Sequence, residues 1–129
     1  MKKTINIMGK DYEVCINAYT PFLYKKTFKT GFMEDLSRLS DISFKQDNIR
    51  KEFEAQGYKG EELEKKTNVA IMNCLDDMLE VITQIAYILI LGNDKNFKPY
   101  EAWLEEQEDF NINGTWITEV TEFAVASFQ

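Results

Sequence analysis

Val69-Ala-Ile-Met-Asn-Cys-Leu-Asp-Asp-Met-Leu-Glu-Val-Ile-Thr-Gln-Ile-Ala-Tyr-Ile-Leu-Ile-Leu91 is the longest apolar stretch of this chain, and its reading decides the fold. Ile71, Leu75, Met78, Ile82, Ile85 and Leu89 recur at alternating steps of four and three residues. That spacing lays a continuous stripe along one face of a helix. Asp76, Asp77, Glu80 and Gln84 fall largely off the stripe, so the first half is amphipathic. From Ile85 to Leu91 the sequence is apolar all the way round, which predicts a helix end covered on several sides. The charge-free run is too short for a bilayer, which takes roughly 20 residues. The stretch therefore reads as a core helix around which the other elements pack. Glu61 and Glu62 place acids where a helix start favours them, and Gly92 is expected to close the helix in a left-handed conformation.

Working outward toward the C-terminus, Asn93 to Asn96 reads as a turn. Lys98-Pro99 starts a helix that puts Tyr100, Trp103 and Leu104 on one side and Glu101, Glu105 and Glu106 on the other. Asp109 to Gly114 reads as a loop. Thr115 is expected to cap a last helix in which Trp116, Val120, Phe123 and Ala124 repeat at helical spacing.

Toward the N-terminus, Thr4–Met8 and Tyr12–Ile16 each alternate apolar and polar residues around Gly9-Lys10-Asp11, the pattern of a β-hairpin. An isolated hairpin is marginal in water, so its apolar face must rest on the helices. Thr20-Pro21 starts a helix that runs to about Lys29, and Gly31 closes or kinks it. Phe32 to Leu39 forms a second, short helix. Residues 40–66 fit either a mobile insertion or a short amphipathic helix over 46–56, with Ile49 and Phe53 one turn apart. The expected fold is thus mainly α, one small domain spanning 1–129 around a long central helix, with an N-terminal hairpin.

Composition excludes several function classes. There is no histidine, which removes Ser-His and Cys-His nucleophile pairs and most transition-metal sites. Cys15 and Cys74 have no metal-type spacing and read as buried free thiols in a reducing compartment. Apolar neighbours and Asp76 and Asp77 disfavour a Cys74 thiolate. Residues 1–66 carry 13 lysines and arginines against 11 acids, whereas residues 67–129 carry 2 lysines against 11 acids. An acidic second half does not suit nucleic acid, which requires a basic surface, and Lys25-Lys26-x-x-Lys29 is too small a footprint. No apolar run follows Met1-Lys2-Lys3, so no secretory signal is expected.

Two constellations could carry chemistry. Asp76 or Asp77 with Glu80, and Glu106 with Asp109, present acids at one-turn spacing. Two such helices could hold magnesium on a nucleotide, the pattern of all-α nucleotide pyrophosphatases. Acids at this spacing also occur on almost any solvated helix. The second feature is a crowd of aromatics in the last third: Phe97, Tyr100, Trp103, Phe110, Trp116, Phe123 and Phe128. Large aromatics fill small cores and also anchor interfaces. A groove or oligomer interface lined by Phe97, Tyr100, Trp103, Phe110, Trp116 and Phe123 is the sharper expectation.

The order of motifs also carries a resemblance. Ile5 to Val14 opens the chain as a hairpin, followed by Asn17-Ala-Tyr-Thr-Pro-Phe-Leu-Tyr-Lys-Lys-Thr-Phe28 and Phe32-Met-Glu-Asp-Leu36. Gln84 to Leu89, Pro99-Tyr-Glu-Ala-Trp-Leu-Glu-Glu106 and Trp116-Ile-x-Glu-Val120 come later. Over roughly residues 4–39 and 81–124 this resembles the tail assembly chaperones of long-tailed phages and prophages of Gram-positive bacteria; residues 40–66 do not match the pattern. The resemblance implies a mainly helical, non-enzymatic protein of the host cytoplasm, absent from the mature virion. It would bind the tape measure protein and keep it soluble until tail tube subunits polymerise around it. The partners implied are the tape measure protein, the major tail tube protein and further copies of the chain, with no cofactor, nucleic acid or membrane. The alternatives are another small phage adaptor or the magnesium-dependent pyrophosphatase.

Overall fold

The computed structural model describes residues 1–108 and 115–127, leaving aside the side chains at positions 40, 42–47, 71 and 73–75. The fold is mainly α. Strands β1 (Lys2–Ile7) and β2 (Lys10–Cys15) form an antiparallel hairpin, followed by helices α1 (Thr20–Phe28), α2 (Phe32–Ala55), α3 (Gly60–Asn93), α4 (Tyr100–Glu105) and α5 (Thr115–Ala126). No helix among the described residues is long and apolar enough to cross a membrane.

The hairpin pairs Ile5 with Tyr12 and Lys3 with Val14. Alternation sends Ile5, Ile7, Tyr12 and Val14 to one face, where all four are buried. The turn is tighter than the expected Gly9–Asp11. It consists of Met8 and Gly9, both at positive φ (53° and 90°), as a two-residue hairpin turn requires. Asn6 braces it, accepting from the Gly9 N–H at 3.2 Å and donating to Asp11 at 2.9 Å.

The apolar face of the hairpin rests on α3, the organising helix. β2, α1, α2 and α5 all pack against α3, and α5 also covers β1. From Val81 to Ile90 every side chain of α3 except Gln84 is buried, which is what the all-round apolar end predicts. Of the predicted stripe, Ile82, Ile85 and Leu89 are fully buried and Met78 packs on the core edge; Ile71 and Leu75 lie outside the described side chains. Trp116, Val120, Phe123 and Ala124 of α5 complete the core as their spacing predicts. Thr115, the expected cap, is the first residue of α5; the expected loop at 109–114 lies outside the described residues.

Four expectations are corrected. First, Gly92 does not end α3 in a left-handed conformation; it lies inside the helix, which closes at Asp94 (φ −133°). Its role is close approach: a Cβ there would stand 3.0 Å from the Cys15 carbonyl oxygen, so any larger residue would push β2 back by a few tenths of an ångström. Second, Phe32–Leu39 is not a separate short helix, and the helix over 46–56 is not a separate element; both belong to α2. α2 runs unbroken for 24 residues, because no glycine or proline occurs between Phe32 and Ala55. Gly57 (φ 100°) and Gly60 (φ 64°) form the reversal that folds α3 back along α2. Third, Thr20 is not the cap of α1. Tyr19 occupies that position, and the Thr20 hydroxyl instead accepts the Asn17 N–H at 2.9 Å. Fourth, Lys29 rather than Gly31 closes α1, at φ 68° with its N–H on the Lys25 carbonyl, whereas Gly31 is the extended residue before α2.

The left-handed Lys29 carries a steric cost that glycine would not. Lys29→Gly should therefore raise the unfolding free energy by about 1 kcal/mol, read as an increased urea midpoint at unchanged slope. A lowered midpoint would mean that the lysine side chain contributes more than the strain costs.

Candidate partner-binding surface

The aromatic residues expected to line a groove fall mostly inside the protein. Trp103 is fully buried, and Trp116 and Phe123 are buried as well, whereas Phe97 and Tyr100 are half-buried. Phe110 and Phe128 lie outside the described residues. The short α4 and the apolar end of α3 cannot exclude water alone, and the rings complete that core. They meet edge to face or tilted in a continuous chain that runs through Phe32, Tyr24, Phe28, Tyr100, Tyr87 and Phe97, with successive centroids 5.0–6.2 Å apart. Tyr12 joins Phe97 to Trp103. Each polar tip has a partner. Trp103 Nε1 donates to the Tyr12 hydroxyl at 3.2 Å, Tyr87 donates to the Lys98 carbonyl at 2.8 Å, and the Tyr100 and Thr83 hydroxyls share a hydrogen bond of 2.7 Å. This arrangement anchors α4 and the turn before it to the hairpin and α3, and leaves Trp103 without exposed surface for a partner.

One end of the aromatic chain meets a buried carboxylate that the sequence reading did not single out. Asp35, only 2% exposed, accepts from the Tyr24 hydroxyl at 2.6 Å, the Thr30 hydroxyl at 2.8 Å and the Arg38 guanidinium at 3.2 Å. The Gln84 amide oxygen stands 3.0 Å from the same Tyr24 hydroxyl. This cluster ties α1, the α1–α2 connection, α2 and α3 together. Burial first, and then the hydrogen bond and charge of Asp35, hold the Tyr24 phenol well above its ordinary range. Burial also raises Tyr100 and Tyr87.

In the unfolded chain a tyrosine loses its proton near pH ~10, whereas folded Tyr24 retains it. The contribution of Tyr24 is therefore complete below pH ~10 and declines as pH rises toward the raised folded value. Unfolding free energy above pH ~10 should fall more steeply for the native chain than for Tyr24→Phe, by up to about 1.4 kcal/mol per pH unit. Equal slopes in urea melts across that range would remove this role.

The acids considered as magnesium ligands are dispersed. Asp76, Asp77 and Glu80 are exposed; Asp77 stands 3.8 Å from Arg38, and the Glu106 carboxylate pairs with Lys98 at 2.6 Å. Asp109 lies outside the described residues. Among the described residues no three acid, cysteine or histidine side chains group as metal ligands. Cys15 is a half-buried free thiol, and the Cys74 side chain is not described.

Exposed apolar surface occurs instead at the corner between α1 and α2. Phe22 is 70% exposed and Met33 is 51% exposed. With Pro21, Lys25, Lys26 and Glu34 they border an open groove of about 380 Å³ over Phe32. Phe22, Lys25 and Lys26 share the outer face of α1, because Tyr24, two positions from Phe22, takes the inner one. Proline at the first turn and the reversal at Lys29–Gly31 hold α1 so that this face stays uncovered. The signal in the sequence was the Phe22–Tyr24 spacing: two rings two residues apart on a helix of nine residues cannot both point inward.

No family model, no curated protein and no solved structure matches the chain.

Proposed function

We propose that this protein is a tail assembly chaperone of a long-tailed phage or prophage of Gram-positive bacteria. It acts without chemistry, in the host cytoplasm, by binding the tape measure protein and keeping it soluble until tail tube subunits assemble around it. The observation that carries this reading is the groove at the α1–α2 corner, with a large aromatic and a flexible methionine held exposed beside lysines. It lies within the part of the sequence, Asn17 to Leu36, that resembles such chaperones. A tape measure protein is a very long helix with apolar stripes. An apolar groove on a small, negatively charged carrier can cover one segment of such a stripe by the helix-in-groove mode, and several carriers are needed along its length. Tube subunits that bind the same stripes would then displace the carriers, leaving none in the virion.

Co-expression with the long helical protein encoded downstream, purification through a tag on this chain and light scattering provide the test. A soluble complex with several copies of this chain per client is expected. Phe22→Glu should leave the client in the pellet while the variant itself remains folded by circular dichroism. A client that is insoluble with the native chain as well would overturn the function, and full capture by Phe22→Glu would remove the groove from it.

A further inference from the structure

Residues 14–33 carry three lysines and no acid, in a chain whose net charge is −7. Two of those lysines, Lys25 and Lys26, border the α1–α2 groove. Both are exposed, and among the described residues neither side chain has an ion-pair partner. By contrast, Arg38, Arg50 and Lys98 are each paired with acids of the chain. The Asp35 carboxylate is buried and already accepts from Tyr24, Thr30 and Arg38. Glu34 is the one acid among the described residues that border the groove. Acids farther off than a screening length of about 10 Å, at about 0.1 M salt, contribute little there. A bound segment therefore meets two unpaired lysines and one glutamate beside the exposed Phe22 and Met33. An exposed ring beside lysines also suits an anionic membrane surface. The shape favours a peptide: the site is a groove over buried Phe32, which receives a projecting side chain, whereas a bilayer is met by a convex apolar face.

We infer that the segment this groove takes is an amphipathic helix with glutamates or aspartates beside its apolar anchors. The anchors cover Phe22 and Met33, and the neighbouring carboxylates pair with Lys25 and Lys26. The inference rests on the reading of this groove as the client site. It adds the chemistry by which a segment is chosen: apolar stripes bordered by acids are covered in preference to stripes bordered by neutral residues.

Two labelled helical peptides with the same leucine stripe test it, one with glutamates beside the leucines and one with glutamines, titrated by fluorescence anisotropy at low and high salt. The overall charge of −7 works against the glutamate peptide, so a preference for it must arise locally. At low salt the glutamate peptide should bind about threefold to tenfold more tightly, as expected for two exposed ion pairs, and high salt should close the gap. Lys25→Gln with Lys26→Gln should abolish the gap while leaving the glutamine peptide unaffected. Phe22→Ser should weaken both peptides with an unchanged circular dichroism spectrum. Equal affinities, a gap that survives the double lysine variant, or binding of neither peptide overturns the inference. So does co-sedimentation with phosphatidylglycerol vesicles when neither peptide binds, which would assign the lysines to a bilayer. If the native chain solubilises its client but does not distinguish the peptides, the inference fails and the chaperone reading stands. If the glutamate peptide is preferred but no client is captured, the inference stands and the chaperone reading fails.

Discussion

Trp103→Ala is expected to lower the unfolding free energy by about 4 kcal/mol, the range for emptying a large aromatic site in a core. Trp103 has no exposed surface and packs against Tyr12, Tyr87 and Tyr100. Its loss also removes the donor at the Tyr12 hydroxyl. The effect is large because α4 has six residues; a helix so short has no stability of its own and is held by its side-chain anchors. Urea melts should show a much lower midpoint, and amide exchange should show α4 opening ahead of the rest. Trp103→Phe, which keeps most of the apolar volume, should cost about 1–2 kcal/mol. Near-native stability of the alanine variant would mean that α4 is held by its flanking turn instead.

The second large effect belongs to Asp35. Asp35→Ala should cost about 3 kcal/mol, because it removes three hydrogen bonds to a buried carboxylate. The loss is smaller than for a fully enclosed ion pair. Arg38 is 41% exposed and keeps its hydration once Asp35 is gone, and Gln84 remains beside the Tyr24 hydroxyl. Asp35→Asn retains one acceptor and should fall between alanine and the native residue. A double-mutant cycle with Tyr24→Phe should give a coupling of about 1–2 kcal/mol, as for residues in one network. Additive effects would show that the two residues act separately.

Periodicity was legible wherever a face was buried. The apolar end of α3, the alternating hairpin strands and the α5 spacing were all readable, because each buries one side against the core. What was not legible depended on partners distant in sequence. Gly92 has the composition of a helix terminator, and only the approach of Cys15 reveals that it is kept for space. Residues 40–55 have a thin stripe; among the described side chains there Ile49 and Phe53 are half-buried, and Arg50 stands near Glu64 of α3. The burial of the aromatic residues singled out as a candidate site was not legible for a related reason. Composition points to the aromatic-rich C-terminal third, yet the described rings there, Phe97, Tyr100, Trp103, Trp116 and Phe123, pack into or against the core. Among the described aromatics Phe22, on the outer side of α1, is the most exposed.

The helix pair also has a mechanical consequence. By its rise per residue α3 is about 51 Å long, and among its described side chains those from Met78 onward join the main core. Toward the tip the described contacts are few: Leu63 and Thr67 are buried, Phe53 meets Tyr58, and Lys66 lies over the Tyr58 ring. The start of α3 at Gly60 thus lies about 27 Å along the helix from Met78. Over that distance any difference in the angle at which α3 leaves the core, beside Tyr24 and Gln84, is multiplied into a larger displacement at Gly57.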